Sequence, residues 1–224
     1  MNISYCNVNL YVNIIHNILK FIKMKKNYQT LVSMAASQAG LFTTAQANAL
    51  GISRPQQKRY ADSGEWTREA HGIYRLTALP DNDPEKSQYH LWMLWSIGRD
   101  GKLAGTYSYE TVLAIFYLSD LIPAKIHISV PKKFRRSVVP KILTLHHEDR
   151  EQSDIISHEG LRVIRPLKAF VDMIKEERVS AEHIEKGFKD ALRKGIISEI
   201  SIERENLSPR ERRLLQAWTK ETRG

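Results

Sequence analysis

The sequence predicts an α+β chain of two domains, and three observations carry that prediction. Between Tyr28 and Ser63, three short helical stretches, the first with apolar residues at helical spacing, are punctuated by Gly40 and Gly51. The next stretch, "EWTREAHGIYRLTALP", is rich in strand-favouring residues around a His71-Gly72 turn, as a two-stranded hairpin is. Beyond the proline-broken "PDNDPEK", strand-like runs alternate with helical ones.

The elements follow in order. Leu31, Val32, Met34, Ala35 and Ala36 give a first helix over 28–39, with Gly40 just past its end. Thr43 or Thr44 caps a second, short helix over "AQANAL", whose small residues permit close packing and which stops at Gly51. Ser53 caps a third, with Pro55 in the first turn, where a missing N–H costs nothing. Its first turns hold Gln56, Gln57, Lys58 and Arg59 where a core helix would be apolar. Three helices followed by a basic hairpin predict a winged helix-turn-helix, in which the third helix lies in the DNA major groove and the wing on the backbone or minor groove.

The expected boundaries are an appendage outside the fold at 1–23, the winged helix at 24–79, a linker at 80–88, and a mixed α/β domain with a small sheet at 89–224. The appendage differs in composition from the rest of the chain and precedes a second possible start at Met24; an amphipathic interfacial or partner-binding helix is the rival reading. Asn13, His16, Asn17 and Lys20 interrupt it, so it is not expected to span a membrane, and it lacks the order of a secretory signal. In the second domain, "SQYHLWMLWSIGRDGK" predicts a helix packing that domain's core or clamping the two together. "TYSYETVLAIFYLSDLI" predicts another, capped at Ser108. "KIHISVP", "KILTLHH" and "LRVIRP" read as strands; "PLKAFVDMIKEE", "AEHIEKGFKDALRKG" and "SPRERRLLQAWTKE" read as closing helices with caps at Ser180 and Ser208.

Charge points toward polyanions. Among 224 residues, 34 Lys and Arg against 25 Asp and Glu give a net charge of +9, within an otherwise ordinary soluble composition. The single Cys6 excludes an intramolecular disulfide framework and fits a reducing cytoplasm. Ser53, Arg54, Gln56, Gln57, Lys58 and Arg59 are the candidate DNA contacts on the third helix; Gln suits adenine edges, Arg guanine edges and Lys phosphate. Arg68, His71 and Arg75 are the candidates on the wing. From Leu121 to His147 there is no acid, so Lys132, Lys133, Arg135 and Arg136 predict a basic loop able to meet phosphates. The plainer alternative for both surfaces is a solvated polar face.

Catalytic and metal patterns are weak. His146 and His147 in "LHHED" are neighbours on a strand and point to opposite faces, so no metal site is expected. The acids of "PDNDPEK" sit together in a broken linker rather than as the separated, strand-borne set a nuclease needs. No nucleophile elbow, phosphate-cradling glycine loop or triad stands out.

The stretch "GLFTTAQANALGISRPQQKRYADSGEWTREAHGIYRL" resembles the N-terminal winged helix of AbiEi-type antitoxins of type IV toxin-antitoxin, or abortive infection, systems. "YSYETVLAIFYLSDLIPAKIHISVPKKFRR" and "GLRVIRPLKAFVDMI" are similar to their C-terminal domain, so the likeness spans Tyr28 to Ile174 and extends loosely over about the last fifty residues. The resemblance implies a transcriptional autorepressor that binds inverted repeats at its own operon as a dimer or cooperative pair. It also implies a partner toxin of nucleotidyltransferase fold, and neither enzyme activity nor cofactor in this chain. The family's third helix and wing make the DNA contacts, matching "SRPQQKR" and "REAHGIYR". Gln57 departs from the pattern, which usually has an inward-packing aliphatic residue there. The alternative from another class is a non-catalytic module binding RNA or an acidic toxin face; a nuclease is a third.

Overall fold

The computed structural model describes residues 25–98, 100–118, 120, 123–177 and 179–223. The expected appendage at 1–23 lies outside the described residues. Two compact units divide between Trp95 and Ser96.

The first unit begins with helix α1, residues 25–36, which buries Leu31 and Ala35. Gly40 follows at φ +80, and a Cβ there would lie 2.8 Å from the Leu79 carbonyl oxygen, so the chain can reverse only at glycine. Strand β1, Leu41–Thr43, comes next; the sequence reading had no strand there, because three residues are too short to show a period. Helix α2, Thr44–Ala49, starts on a reciprocal cap: Gln46 N–H donates to the Thr43 hydroxyl, and Thr43 N–H donates to the Gln46 side chain. Gly51, at φ +75, turns the chain into α3, Arg54–Asp62. Strands β2, Trp66–Ala70, and β3, Ile73–Leu76, form the hairpin, and β3 pairs on its other edge with β1, giving an antiparallel sheet of order β1-β3-β2. Three helices followed by a hairpin is the element order that the sequence predicts.

Helix α4, Pro84–Trp95, starts inside the stretch read as a linker. It packs on β1 and β3 of the first unit rather than in a second-domain core. Its tether is long-range: the buried Arg75 on β3 donates to the Ser87 hydroxyl of α4.

The second unit is a mixed five-stranded sheet beside a helical cluster. Strands β4 (Thr106–Tyr107), β5 (Ile126–Val130), β6 (Leu143–His147), β7 (Ile155–His158) and β8 (Leu161–Ile164) lie in the order β6-β5-β4-β8-β7. β5 is parallel to β6, β4 is parallel to β8, and the other two pairings are antiparallel. Helices α5 (Glu110–Ile115), α6 (Pro166–Glu176), α7 (Ala181–Arg193), α8 (Glu199–Arg204) and α9 (Pro209–Arg223) complete it. Their core centres on Phe170, Phe188 and Trp218, with Phe170 edge-on to Phe188 at 5.5 Å. The described chain is therefore α+β, as the sequence predicts.

Two local readings are corrected. Thr106 and Tyr107 are strand, and the cap of α5 is Tyr109, at φ 52 and ψ −137, instead of Ser108. The longer apolar pattern hid that break, because strand and helix there are both buried and neither shows a polar face. β7 and α8 were also not read from the sequence; β7 has no fully buried residue to mark it.

Candidate nucleic-acid interface

Helix α3 has one inward and one outward face, and Gln57 decides which is which. It is 7% exposed, and its amide N–H groups donate to the Asn48 side chain at 2.7 Å and the Ile52 carbonyl at 2.8 Å, with the Thr44 carbonyl at 3.4 Å. One side chain thus ties α3 to α2 and to the turn between them. Gln57 is accordingly removed from the base-reading candidates, since reaching DNA would break those bonds and expose the core. Gln57 therefore occupies an inward place by finding polar partners, where the resemblance led one to expect an aliphatic residue.

With Gln57 inside, Lys58, Arg59 and Asp62 fall on the outer face with Pro55, and Arg54 stands exposed at the helix start. Three cations and one carboxylate therefore line the exposed side of the helix. Ser53 and Gln56 hold the helix start together, because the Ser53 N–H and hydroxyl both donate to the Gln56 side-chain oxygen, at 2.9 and 2.8 Å, closing the first turn. Ser53 remains exposed and Gln56 half-buried.

An aromatic cluster fixes the wing against α3. The Tyr60 ring stacks on Trp66 at 5.1 Å, Trp66 meets Phe42 edge-on at 4.6 Å, and Tyr28 leans on Tyr60 at 5.1 Å. Helix α3 and the wing are thus packed against one aromatic cluster. On the wing, Arg68 and His71 are exposed and meet across the turn, guanidinium to Nδ1 at 3.3 Å. Arg75 is the second correction. It is 9% exposed, and its guanidinium pairs with Glu69 at 2.7 Å and Asp81 at 3.3 Å while donating to the Ala39 carbonyl at 2.7 Å. Alternation places its side chain behind the sheet, where it holds the wing's base to the end of α1 and to α4.

The four loop cations belong to the second unit. Lys132, Lys133, Arg135 and Arg136 are all exposed. Arg135 donates to the carbonyls of Lys132 and Phe134, at 2.6 and 2.8 Å, and Arg136 donates to that of Ile97 at 2.7 Å. Both guanidiniums thereby brace the loop. Sequence reasoning missed the partners in these arrangements, Asn48 for Gln57 and Ile97 for Arg136, because nothing local marks a contact across 9 or 39 residues.

A second polar cluster sits where β4 enters α5. His127 Nδ1 and His146 Nε2 are 2.9 Å apart, Tyr109 lies against His146 at 4.1 Å, and Arg150 pairs with Glu148 and Asp172. His146 points inward and His147 outward, as strand alternation requires. Among the described residues no group of three or more His, Cys, Asp or Glu side chains could hold a metal ion. The Tyr109 hydroxyl donates to Glu176, and burial, followed by that bond, raises its pKa above the usual value.

Residues 29–77 match the family of transcriptional regulators described as AbiEi antitoxins. That stretch of the first unit is similar to the AbiEi antitoxin regulators. The match runs from α1 to the end of β3, the same stretch that holds the outward face of α3 and the wing. A DNA-binding antitoxin role, in general terms, is what that match supports. No curated protein matches the chain. Among solved structures, the RV2827C protein from Mycobacterium tuberculosis is similar at 13% identity, over 88% of this chain and 77% of that one, with a TM-score of 0.49. None of the described helices is long and apolar enough to cross a membrane.

Proposed function

We propose that this chain is a sequence-specific repressor of its own operon and the antitoxin of a type IV toxin-antitoxin system. The observation that carries the reading is the exposed row of Arg54, Lys58 and Arg59 on a helix held outward by Gln57, within the stretch similar to the AbiEi antitoxin regulators. In this reading α3 enters the major groove, Arg54 and Arg59 meet base edges, and Lys58 meets phosphate. Arg68 and His71 on the wing follow the adjacent backbone. Two molecules on inverted repeats would match the two-fold symmetry of an operator. The counterpart is a toxin of nucleotidyltransferase fold. The chain acts in the cytoplasm and is itself not an enzyme.

The test is binding of the purified chain to its own upstream duplex and to an unrelated duplex at two salt concentrations. A preference that persists at the higher salt is expected. Equal binding to both, erased by salt, would show that the positive charge alone attracts DNA and would overturn the repressor reading.

A further inference from the structure

We propose that a cleft in the second unit docks an acidic segment of a protein partner that also carries apolar side chains. The cleft lies between the turn closed by the Ile97–Leu103 bridge and the loop that follows β5, and its volume is about 800 Å³. Gly98, Ala104 and Pro131 line it with small or apolar surface, and Lys133, Arg135 and Arg136 give it charge. The walls are fixed in advance: Arg136 bridges them through the Ile97 carbonyl, and Phe134 is buried beneath the loop. The acid in the lining, Asp100, is occupied by its own turn, accepting the Lys102 N–H at 3.1 Å. Lys133, in contrast, is exposed and forms no ion pair with any described residue.

The preference for a protein over a nucleic acid is set at the rim. Val138 and Val139, directly after Ser137 of the lining, are 76% and 40% exposed. Two adjacent valines left in water beside a cationic cleft are a cost that a phosphate backbone does not relieve. A segment with carboxylates for Lys133 and an apolar side chain for the valines covers both. Of the two arginines that would best fork a phosphate, Arg135 already donates to the loop's own Lys132 and Phe134 carbonyls, and Arg136 donates to the Ile97 carbonyl of the facing turn.

The test uses the full chain and three fluorescent probes: a short peptide alternating Glu and Leu, the same peptide with Ser for Leu, and an unrelated DNA duplex. Anisotropy should show the Glu/Leu peptide binding about tenfold more tightly than the Glu/Ser peptide. Lys133→Glu and Val138→Ser should each weaken that binding about fivefold or more, while Val138→Ser leaves duplex binding unchanged. Both positions are exposed, and unchanged thermal unfolding confirms that the variants fold. Equal binding of the two peptides, or an unaltered peptide affinity in Val138→Ser, would overturn the proposal. A Lys133→Glu effect confined to the duplex would do the same and assign the loop to phosphate. The peptide outcomes do not depend on α3, so the repressor reading stands or falls separately.

Discussion

At the scale of single residues, arginines of similar sequence context have opposite roles, and substitution should separate them. Arg54 and Arg59 are exposed, so alanine at either should leave thermal unfolding unchanged and lower operator preference by about 1–3 kcal/mol, read by gel shift against an unrelated duplex. Arg75 is buried among Glu69, Asp81, Ser87 and the Ala39 carbonyl, so Arg75→Ala should act through stability, leaving two carboxylates and a buried hydroxyl without their donor. A lowered melting temperature is the expected result, and wild-type stability in Arg75→Ala would contradict its structural role. Gln57 behaves as Arg75 does. Gln57→Ala strands the Ile52 carbonyl and opens a gap between α2 and α3, and it should cost about 1–3 kcal/mol in denaturant unfolding. Both inward residues read as surface candidates in the sequence because polarity is visible there and direction is not.

At the scale of elements, α2 and α3 were legible because their stops are chemical: Gly51 supplies the positive φ, and Thr43 and Ser53 the caps. Thr43→Ala removes half of the reciprocal cap of α2 and should cost about 1 kcal/mol, measured by thermal unfolding. The turn from β4 into α5 was not legible, since it rests on Tyr109 in a backbone region that side chains rarely occupy. Such a conformation persists only because its surroundings hold the ring and hydroxyl, through His146 and Glu176. The same hydroxyl makes a pH prediction. Its folded pKa is raised above the ordinary value of 10.0, so the stability it contributes is complete below about pH 10 and is lost as the pH rises further. Denaturant midpoints across that range should fall less steeply for Tyr109→Phe than for the wild type, and equal slopes would contradict the buried, protonated phenol.

At the scale of the whole molecule, the net charge of +9 makes any DNA affinity depend on salt. Each phosphate contact on duplex DNA adds about 0.9 to the slope of log affinity against log salt. Replacing Lys58 with Ala should therefore reduce that slope by about one for operator and unrelated duplexes alike, whereas Arg54→Ala should change the ratio between them. The two units carry separate apolar cores, one around Phe42 and Trp66 and the other around Phe170 and Phe188. The sequence by itself determined the α+β class, the helix-turn-helix with its hairpin and the basic character of α3 and of the loop at 132–136, because apolar period, glycine, caps and charge are local properties. Only the tertiary structure decided which polar residues face outward, that α4 packs on the first unit's sheet, and that a cationic cleft forms beside Val138. Those outcomes depend on partners distant in the chain, such as Ala39 for Arg75 and Ile97 for Arg136, which no local pattern records.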